Sequence, residues 1–244
     1  MIDTHAHINS KCLKDVRQEI MKVKDLEYLD KVINVGLDEE TSIDALATTG
    51  LCDKFYAAIG VHPLYEGNIE NILKIAEASA LSNRIVAIGE TGLDDSEDLK
   101  PQIRKFIESI ELANMLHLPI IIHANNTNDL VLKILKGHPA HYGFVFHCFQ
   151  PDLFSLESIL KRDGYISVGR PITKENAKKS LEVVRNVPID NLLIELDYPF
   201  MSGIPEDDGK KVFNRIKEIR KMDYSHLEES LDKNAKRLFY KLKN

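Results

Sequence analysis

Short apolar runs alternate with longer amphipathic stretches along the whole chain, and this pattern predicts strands that alternate with helices. Runs such as Ile85–Ile88 and Pro119–Ile122 are apolar at nearly every position. Strands need that composition when both faces are buried, as in a parallel sheet covered by helices. The predicted strands are Met1–His5, Val32–Val35, Phe55–Ile59, Ile85–Ile88, Pro119–Ile122, Gly143–Phe146, Tyr165–Val168 and Leu192–Ile194.

The intervening stretches have helical periodicity. Within Leu99–Leu116 the apolar positions recur at spacings of four and three residues, which places them on one face of a helix. The last helix is predicted to begin at Ser225, where Ser225 and Glu228 match a capping box. The segment Tyr198–Gly209 is rich in proline and glycine, and we expect it to form a loop over the mouth of the sheet.

Eight parallel strands with helical crossovers either close into a barrel or lie open with helices on both faces. The chain has 244 residues, close to the length of roughly 250 residues that is typical of a (β/α)8 barrel. The strand count and the placement of polar residues at strand ends favour the barrel. We therefore predict one α/β domain over residues 1–244, a slightly distorted TIM barrel with an extra C-terminal helix.

Composition narrows the class of protein. Hydrophobic residues make up 43% and charged residues 29%, as in an ordinary globular domain. The net charge of −6 argues against a protein that coats nucleic acid by charge alone. Three widely spaced cysteines do not form a disulfide framework, and no signal peptide or apolar span is visible, so a cytoplasmic location without membrane contact is expected.

Histidines and carboxylates fall where the predicted strands end. In a barrel the carboxyl ends of the strands meet at one face, which is where active sites of this fold lie. Each residue taken alone is also explained as a buried histidine or a loop carboxylate, but together they form a ring. The candidate metal ligands in this ring are His5, His7, Glu90, His123, His147 and Asp197.

Four imidazoles and two carboxylates supply enough ligands for two divalent metal ions, with one carboxylate expected to bridge them. Imidazole-rich ligation suits zinc or nickel, whereas magnesium prefers oxygen, so the choice among Zn, Mg, Mn and Ni stays open. Asp3 points to the same side of its strand as His5, and Glu195 lies two residues before Asp197. We expect both to orient ligands rather than to bind metal.

At these motifs the sequence resembles the TatD family, metal-dependent hydrolases of the amidohydrolase type that are usually described as deoxyribonucleases. The resemblance covers nearly the whole chain, and its most specific part is Gly89–Asp94. It implies a TIM barrel in which His5 and His7 bind one metal, Glu90 bridges, and His123 and His147 bind the second. It also implies that Asp197 binds the first metal and accepts the proton of the attacking water, with His62 and Asp94 near the substrate.

The sequence departs from the family pattern outside the six ligand positions. Asn125 stands where the family commonly has an arginine, and Gln150 and Pro151 replace a small residue and a glycine. Leu196 and Tyr198 flank Asp197 in place of threonine and serine. Because all six ligand candidates are kept while the surrounding residues differ, the sequence supports metal-dependent hydrolysis more than it supports DNA as the substrate.

The function predicted here is a TatD-like phosphodiesterase or DNase that uses metal-activated water, with Asp197 and Glu90 as catalytic groups. Its expected partner is nucleic acid or another phosphodiester, without an obligate protein partner. Two alternatives stay open: a related enzyme acting on an amide, ester or lactone, and a metal-binding scaffold without turnover. The basic side chains that could assist a phosphate are Arg170, Lys174, Lys210 and Lys211.

Overall fold

The protein is described by a computed structural model that covers residues 1–9, 11–201 and 205–242, without the side chains of 205 and 206. Eight parallel strands form one sheet in which each strand pairs with its neighbour in the sequence. The strands are β1 (Ile2–Ala6), β2 (Lys31–Val35), β3 (Phe55–Ile59), β4 (Ile85–Asp94), β5 (Ile120–Asn125), β6 (Phe144–Phe146), β7 (Tyr165–Val168) and β8 (Leu192–Ile194).

Helices follow the strands and cover the outside of the sheet. Short 3₁₀ turns at Ser82–Arg84, Arg170–Thr173 and Ile189–Asn191 complete some of the connections. The helices are α1 (Val16–Asp25), α2 (Glu39–Leu51), α3 (Ile69–Ala78), α4 (Leu99–Met115), α5 (Asn128–Gly137), α6 (Leu153–Leu160), α7 (Lys178–Asn186), α8 (Pro205–Arg220) and α9 (Tyr224–Leu238). The predicted TIM barrel with an additional C-terminal helix is confirmed.

The barrel closes between its first strand and the segment that follows its last one. Ala6 and Tyr198 form an isolated parallel bridge. The amide of Asp197 donates to the carbonyl of His5 at 2.8 Å, and the amide of His7 donates to the carbonyl of Tyr198 at 2.6 Å. Closure therefore places Asp197 directly beside the His5–His7 pair.

Two buried layers explain why the strands are apolar throughout. One cluster contains inward-facing strand residues such as Ile121, Val145 and Leu193, and it fills the barrel together with Phe239, the residue that follows α9. The alternating residues, such as Ile120 and Phe144, pack in a second cluster against the helices. Side chains on successive strand residues point to opposite faces, so both layers require apolar residues.

The last helix begins earlier than its sequence suggests. Asp223, not Ser225, is the N-cap, and its side chain accepts the amide hydrogen of His226. Glu228 does not complete a capping box because its carboxylate binds the N-terminal ammonium of Met1 at 3.1 Å. An ion pair across the fold replaces the local bond, since the ammonium group is the stronger donor.

The predicted loop at Tyr198–Gly209 is shorter than expected. Its last part is helical, because α8 begins at Pro205. Proline is favoured in the first turn of a helix, where no partner for its missing amide hydrogen is needed. Residues 202–204 of the predicted loop lie outside the described residues. None of the described helices has the length and apolar character needed to cross a membrane.

Candidate active site

The Gly89–Asp94 motif lies within β4, which is six residues longer at its carboxyl end than predicted. Gly89 and Gly92 have φ angles of +148° and +143°. A Cβ atom at Gly92 would lie 2.0 Å from the carbonyl oxygen of His123, and one at Gly89 would lie 2.7 Å from that of Ile121. Only glycine permits this conformation and this approach, which brings Glu90 against β5.

Glu90 lies at the centre of the predicted ligand ring and is 2% exposed. Its Oε2 atom is 3.3 Å from His5 Nε2 and 3.4 Å from His7 Nε2. Its Oε1 atom is 2.9 Å from both His123 Nδ1 and His147 Nε2. One carboxylate thus faces two pairs of histidines, one pair with each oxygen, which is the arrangement expected of a bridging ligand.

The atoms around Glu90 fit a site for divalent cations. His5 Nε2 and His7 Nε2 lie only 2.9 Å apart. Asp197 Oδ1 is 3.4 Å from His7 Nε2 and is buried without a hydrogen-bond partner. Imidazole nitrogens that converge with buried carboxylate oxygens form the donor set used by zinc and related metals. The six predicted ligands therefore come together, and metal ligation by each remains a prediction.

His62 comes closer to this centre than the sequence indicated. Its Nε2 atom lies 3.3 Å from His123 Nδ1 and 3.5 Å from Glu90 Oε1, and these three residues form a further metal-capable group. Burial lowers the pKa of His62 to about 4, so its ring is neutral at pH 7. Its Nδ1 accepts the amide hydrogen of Leu64, so the proton of the neutral ring lies on Nε2. His62 is therefore placed to donate a hydrogen bond into the site.

Asp94 contacts His123 on the side of its imidazole that faces away from Glu90. Its Oδ2 atom is 2.9 Å from His123 Nε2, while Oδ1 accepts bonds from the amide and hydroxyl of Ser96 and from the side chain of Asn125. Burial opposes ionisation, but the hydrogen bonds from Ser96, His123 and Asn125 together outweigh it and lower the pKa of Asp94. An ionised carboxylate that is held in this way fixes the orientation of His123.

Replacing Asp94 by asparagine is expected to weaken the affinity for the cation held by His123 about 10–100-fold, because a metal-ligating histidine loses its carboxylate partner. Calorimetric titration of the metal-free protein with Zn²⁺ or Mn²⁺ measures this change directly. Asp95→Asn is the matched control, since it removes the same charge from the exposed neighbouring position. Equal affinities in both variants would show that Asp94 does not orient a ligand.

Glu195 and Asp3 occupy places in the structure that sequence position alone did not specify. The Oε1 atom of Glu195 accepts the amide hydrogen of Cys148 at 2.6 Å and lies 3.6 Å from His147 Nδ1. We predicted that Glu195 orients Asp197; in the structure its carboxylate lies behind His147 instead. Asp3 accepts the amide hydrogens of His5 and Leu196, and burial raises its pKa to about 8. It connects β1 to the segment after β8.

The loop that carries Asp197 is anchored by a residue that departs from the family pattern. The hydroxyl of Tyr198 donates to Glu19 of α1 at 2.8 Å, and burial raises the pKa of Tyr198 to about 12. Asp197 itself has a φ angle of +50° and is 7% exposed. Tyr198 therefore ties the Asp197 backbone to the outer helical layer.

Two adjoining cavities open from the ligand ring. The first has a volume of about 240 Å³ and is bounded by residues such as Tyr65, Glu90 and Phe200. The second is a cleft of about 430 Å³ on the β5–β7 side. Both cavities share His123, His147 and Asp197. The walls of the cleft were not predicted as site residues, because their apolar side chains resemble ordinary core in the sequence.

Known proteins share the sequence pattern and the fold of this chain. The model of the family described as TatD related DNase matches residues 2–240. The uncharacterized metal-dependent hydrolase YabD of Bacillus subtilis is 36% identical over 252 residues, covering 98% of each chain. The crystal structure of YjjV, a TatD homologue from Escherichia coli, has a TM-score of 0.88 at 28% identity and covers 98% of each chain.

A TatD family hydrolase from Entamoeba histolytica has the same fold, with a TM-score of 0.83 at 18% identity over 99% of this chain and 98% of its own. The family match spans the barrel and every predicted ligand. The protein therefore belongs to the TatD family of metal-dependent hydrolases.

Proposed function

We propose that the protein hydrolyses phosphodiester bonds with water in a reaction that depends on divalent metal ions. The observation that carries this proposal is the position of Glu90, which presents one carboxylate oxygen to His5 and His7 and the other to His123 and His147. Two cations bound by these residues would activate water and stabilise the charge that develops on a phosphoryl group.

The charge balance of the ligand ring supports an anionic substrate. Glu90 and Asp197 contribute two negative charges, so two divalent cations would leave a local charge near +2. Bound ions dominate the field of such a site even in a chain with a net charge of −6. A single phosphate group can therefore be held without a large basic surface.

Two side chains have roles that follow from their positions. Asp197 lies in the wall shared by both cavities, and its Oδ1 atom is buried without a partner, which suits acceptance of a proton from the attacking water. His62 lines the smaller cavity, and its Nε2–H group, which lies 3.3 Å from His123 Nδ1, could donate to a phosphoryl oxygen bound there. DNA, RNA and small diesters all contain the bond that this arrangement would cleave.

The test compares bis(4-nitrophenyl) phosphate, single-stranded DNA and a panel of carboxylic esters and lactones. Protein stripped of metal and reloaded separately with Zn²⁺, Mg²⁺, Mn²⁺ or Ni²⁺ is assayed on each substrate. We expect hydrolysis of the phosphodiester only after reloading. Hydrolysis of the carboxylic esters or lactones alone would contradict the proposal and indicate an enzyme that attacks a carbonyl group. Metal binding without hydrolysis of any substrate would indicate a scaffold.

A carboxylic ester or lactone hydrolase is the second candidate, and one observation favours it. Asn125 stands where the TatD family commonly has an arginine, and its neutral amide, hydrogen-bonded to Asp94 and Gln150, brings no positive charge to hold a phosphate. A polarised carbonyl group needs no such cation. The same assay panel separates the two candidates.

A further inference from the structure

The cleft on the β5–β7 side has walls that suit an uncharged group. Its volume is about 430 Å³, within the range of pockets that bind small organic molecules. Its walls are mostly apolar and include Phe149, Val168, Pro171, Ile172 and Val183. The cleft shares His123, His147 and Asp197 with the cavity at the ligand ring. A substrate held at the ligand ring would therefore extend one substituent into the cleft.

One polar wall of the cleft is a hydrogen-bonded pair of neutral amides. Gln150 Nε2 donates to Asn125 Oδ1 at 2.6 Å, and Asn125 Nδ2 donates to Asp94 Oδ1 at 3.1 Å. Gln150 Oε1 in turn accepts the amide hydrogen of Asn126 at 3.2 Å. These bonds leave one N–H of each amide for a ligand, and the pair adds no positive charge to this wall of the cleft.

Among the described residues, few lysine or arginine side chains lie near the cleft with a charge available for a phosphate. Lys174 is the one basic side chain that lines it within the described part of the chain. Arg170, which the sequence suggested could assist a phosphate, donates to the carbonyl of Met201 at 3.0 Å and lies 3.7 Å from Asp208. No row of lysine or arginine side chains is therefore present at this wall to neutralise a second phosphate.

The next part of the surface is acidic. Beyond Gln150 and Pro151 the cleft adjoins a hollow that carries Asp95, Asp129 and Asp152 against one lysine, Lys179. A polynucleotide gains most of its affinity from phosphates neutralised by lysine and arginine. A strand leaving the ligand ring through the cleft would instead place its next phosphates near these carboxylates.

We propose that the substrate is a small diester with a single phosphate, whose uncharged and largely apolar substituent occupies this cleft, rather than a polynucleotide. The proposal rests on the proposed phosphodiesterase function and specifies its substrate class. In the reaction, the oxygen of water forms a bond to phosphorus and one P–O ester bond breaks. One proton of the water passes to Asp197 and is then returned to the leaving oxygen, so the products are a phosphate monoester and an alcohol.

The first measurement compares three substrates with the unchanged, metal-loaded protein: 4-nitrophenyl phenyl phosphate, methyl 4-nitrophenyl phosphate and a single-stranded oligonucleotide. We expect kcat/KM for the phenyl diester to exceed that for the methyl diester by about 10-fold or more, the order gained by filling an apolar pocket. We expect the oligonucleotide to be the poorest substrate per scissile bond.

The second measurement narrows the cleft with Ser180→Trp, since Ser180 lies in its wall and is partly exposed. The preference for the phenyl diester over the methyl diester should disappear, because kcat/KM for the phenyl diester loses the gain of about 10-fold or more expected from the pocket. Lys179→Trp is the matched control, because Lys179 is the adjacent residue and lines the acidic hollow instead.

The outcomes separate the two proposals. If the oligonucleotide and both small diesters are inert, the phosphodiesterase function fails and the substrate class fails with it; if only the oligonucleotide is hydrolysed, the substrate class alone is overturned. If the small diesters are hydrolysed but the oligonucleotide is preferred, or if phenyl and methyl diesters react equally, the substrate class is overturned while the phosphodiesterase function stands. The substrate comparison decides this even if Ser180→Trp does not fold.

Discussion

Replacing Asp197 by asparagine is expected to lower kcat for phosphodiester hydrolysis by about 10²–10⁴-fold, the range contributed by a positioned general base. The change keeps the size of the side chain and leaves the bond from the Asp197 amide to the His5 carbonyl in place. It removes the negative charge and replaces one carboxylate oxygen by an amide nitrogen, at a side chain that lies in the wall of both cavities and whose Oδ1 is buried without a hydrogen-bond partner. Steady-state kinetics on bis(4-nitrophenyl) phosphate, with metal content measured in parallel, gives the result.

The control for this experiment is Asp207→Asn, which removes the same charge from an exposed position on α8. It should retain the activity of the unchanged protein. A second substitution, His123→Ala, tests the opposite side of the ring. If Asp197→Asn and His123→Ala both retained metal-dependent hydrolysis, the proposed mechanism would be wrong.

Replacing Glu90 by glutamine should have the largest effect on metal binding. The two oxygens of Glu90 each face a different pair of imidazoles, so the amide nitrogen of glutamine must point at one pair whichever way it turns. An N–H group cannot bridge two cations, and the ring also loses one of its two carboxylates. Since losing only an outer partner costs 10–100-fold in metal affinity, we expect a loss above about 100-fold here.

Calorimetry and elemental analysis measure the metal bound per chain, independently of activity. We expect the unchanged protein to bind two divalent ions and Glu90→Gln to bind fewer than one under the same conditions. Glu97→Gln, at an exposed position shortly after β4, is the matched control. Full occupancy of two metals in Glu90→Gln would exclude Glu90 as the bridging ligand.

The sequence contains enough information to predict the inward-facing site residues on individual strands. Every second residue of a strand points into the barrel, so His123 continues the line of Ile121, and His147 continues that of Val145. The change from apolar to ionisable side chain marks where the strand leaves the core and reaches the mouth. Such patterns depend on burial and on the local periodicity of the chain, which a sequence displays directly.

Other features depended on contacts between distant segments. The position of Glu195 behind His147 follows from the pairing of β6, β7 and β8, because its carboxylate also binds Ser167 of β7. The position of Glu228 likewise follows from the N-terminal ammonium, which lies 227 residues away in sequence. Local rules predicted other partners for both carboxylates, since they contain no information about which segments meet.

By itself, the sequence determined the strand–helix order, the apolar strands and the six ionisable residues at the barrel mouth, because burial and periodicity act on neighbouring residues. Tertiary structure alone decided three further features: the approach of Asp197 to His5, the support of His123 by Asp94, and the largely apolar cleft beside Gln150. Each of these depends on barrel closure and strand register. Barrel closure and strand register set the distances between residues that are far apart in the chain, and local sequence patterns contain no information about those distances.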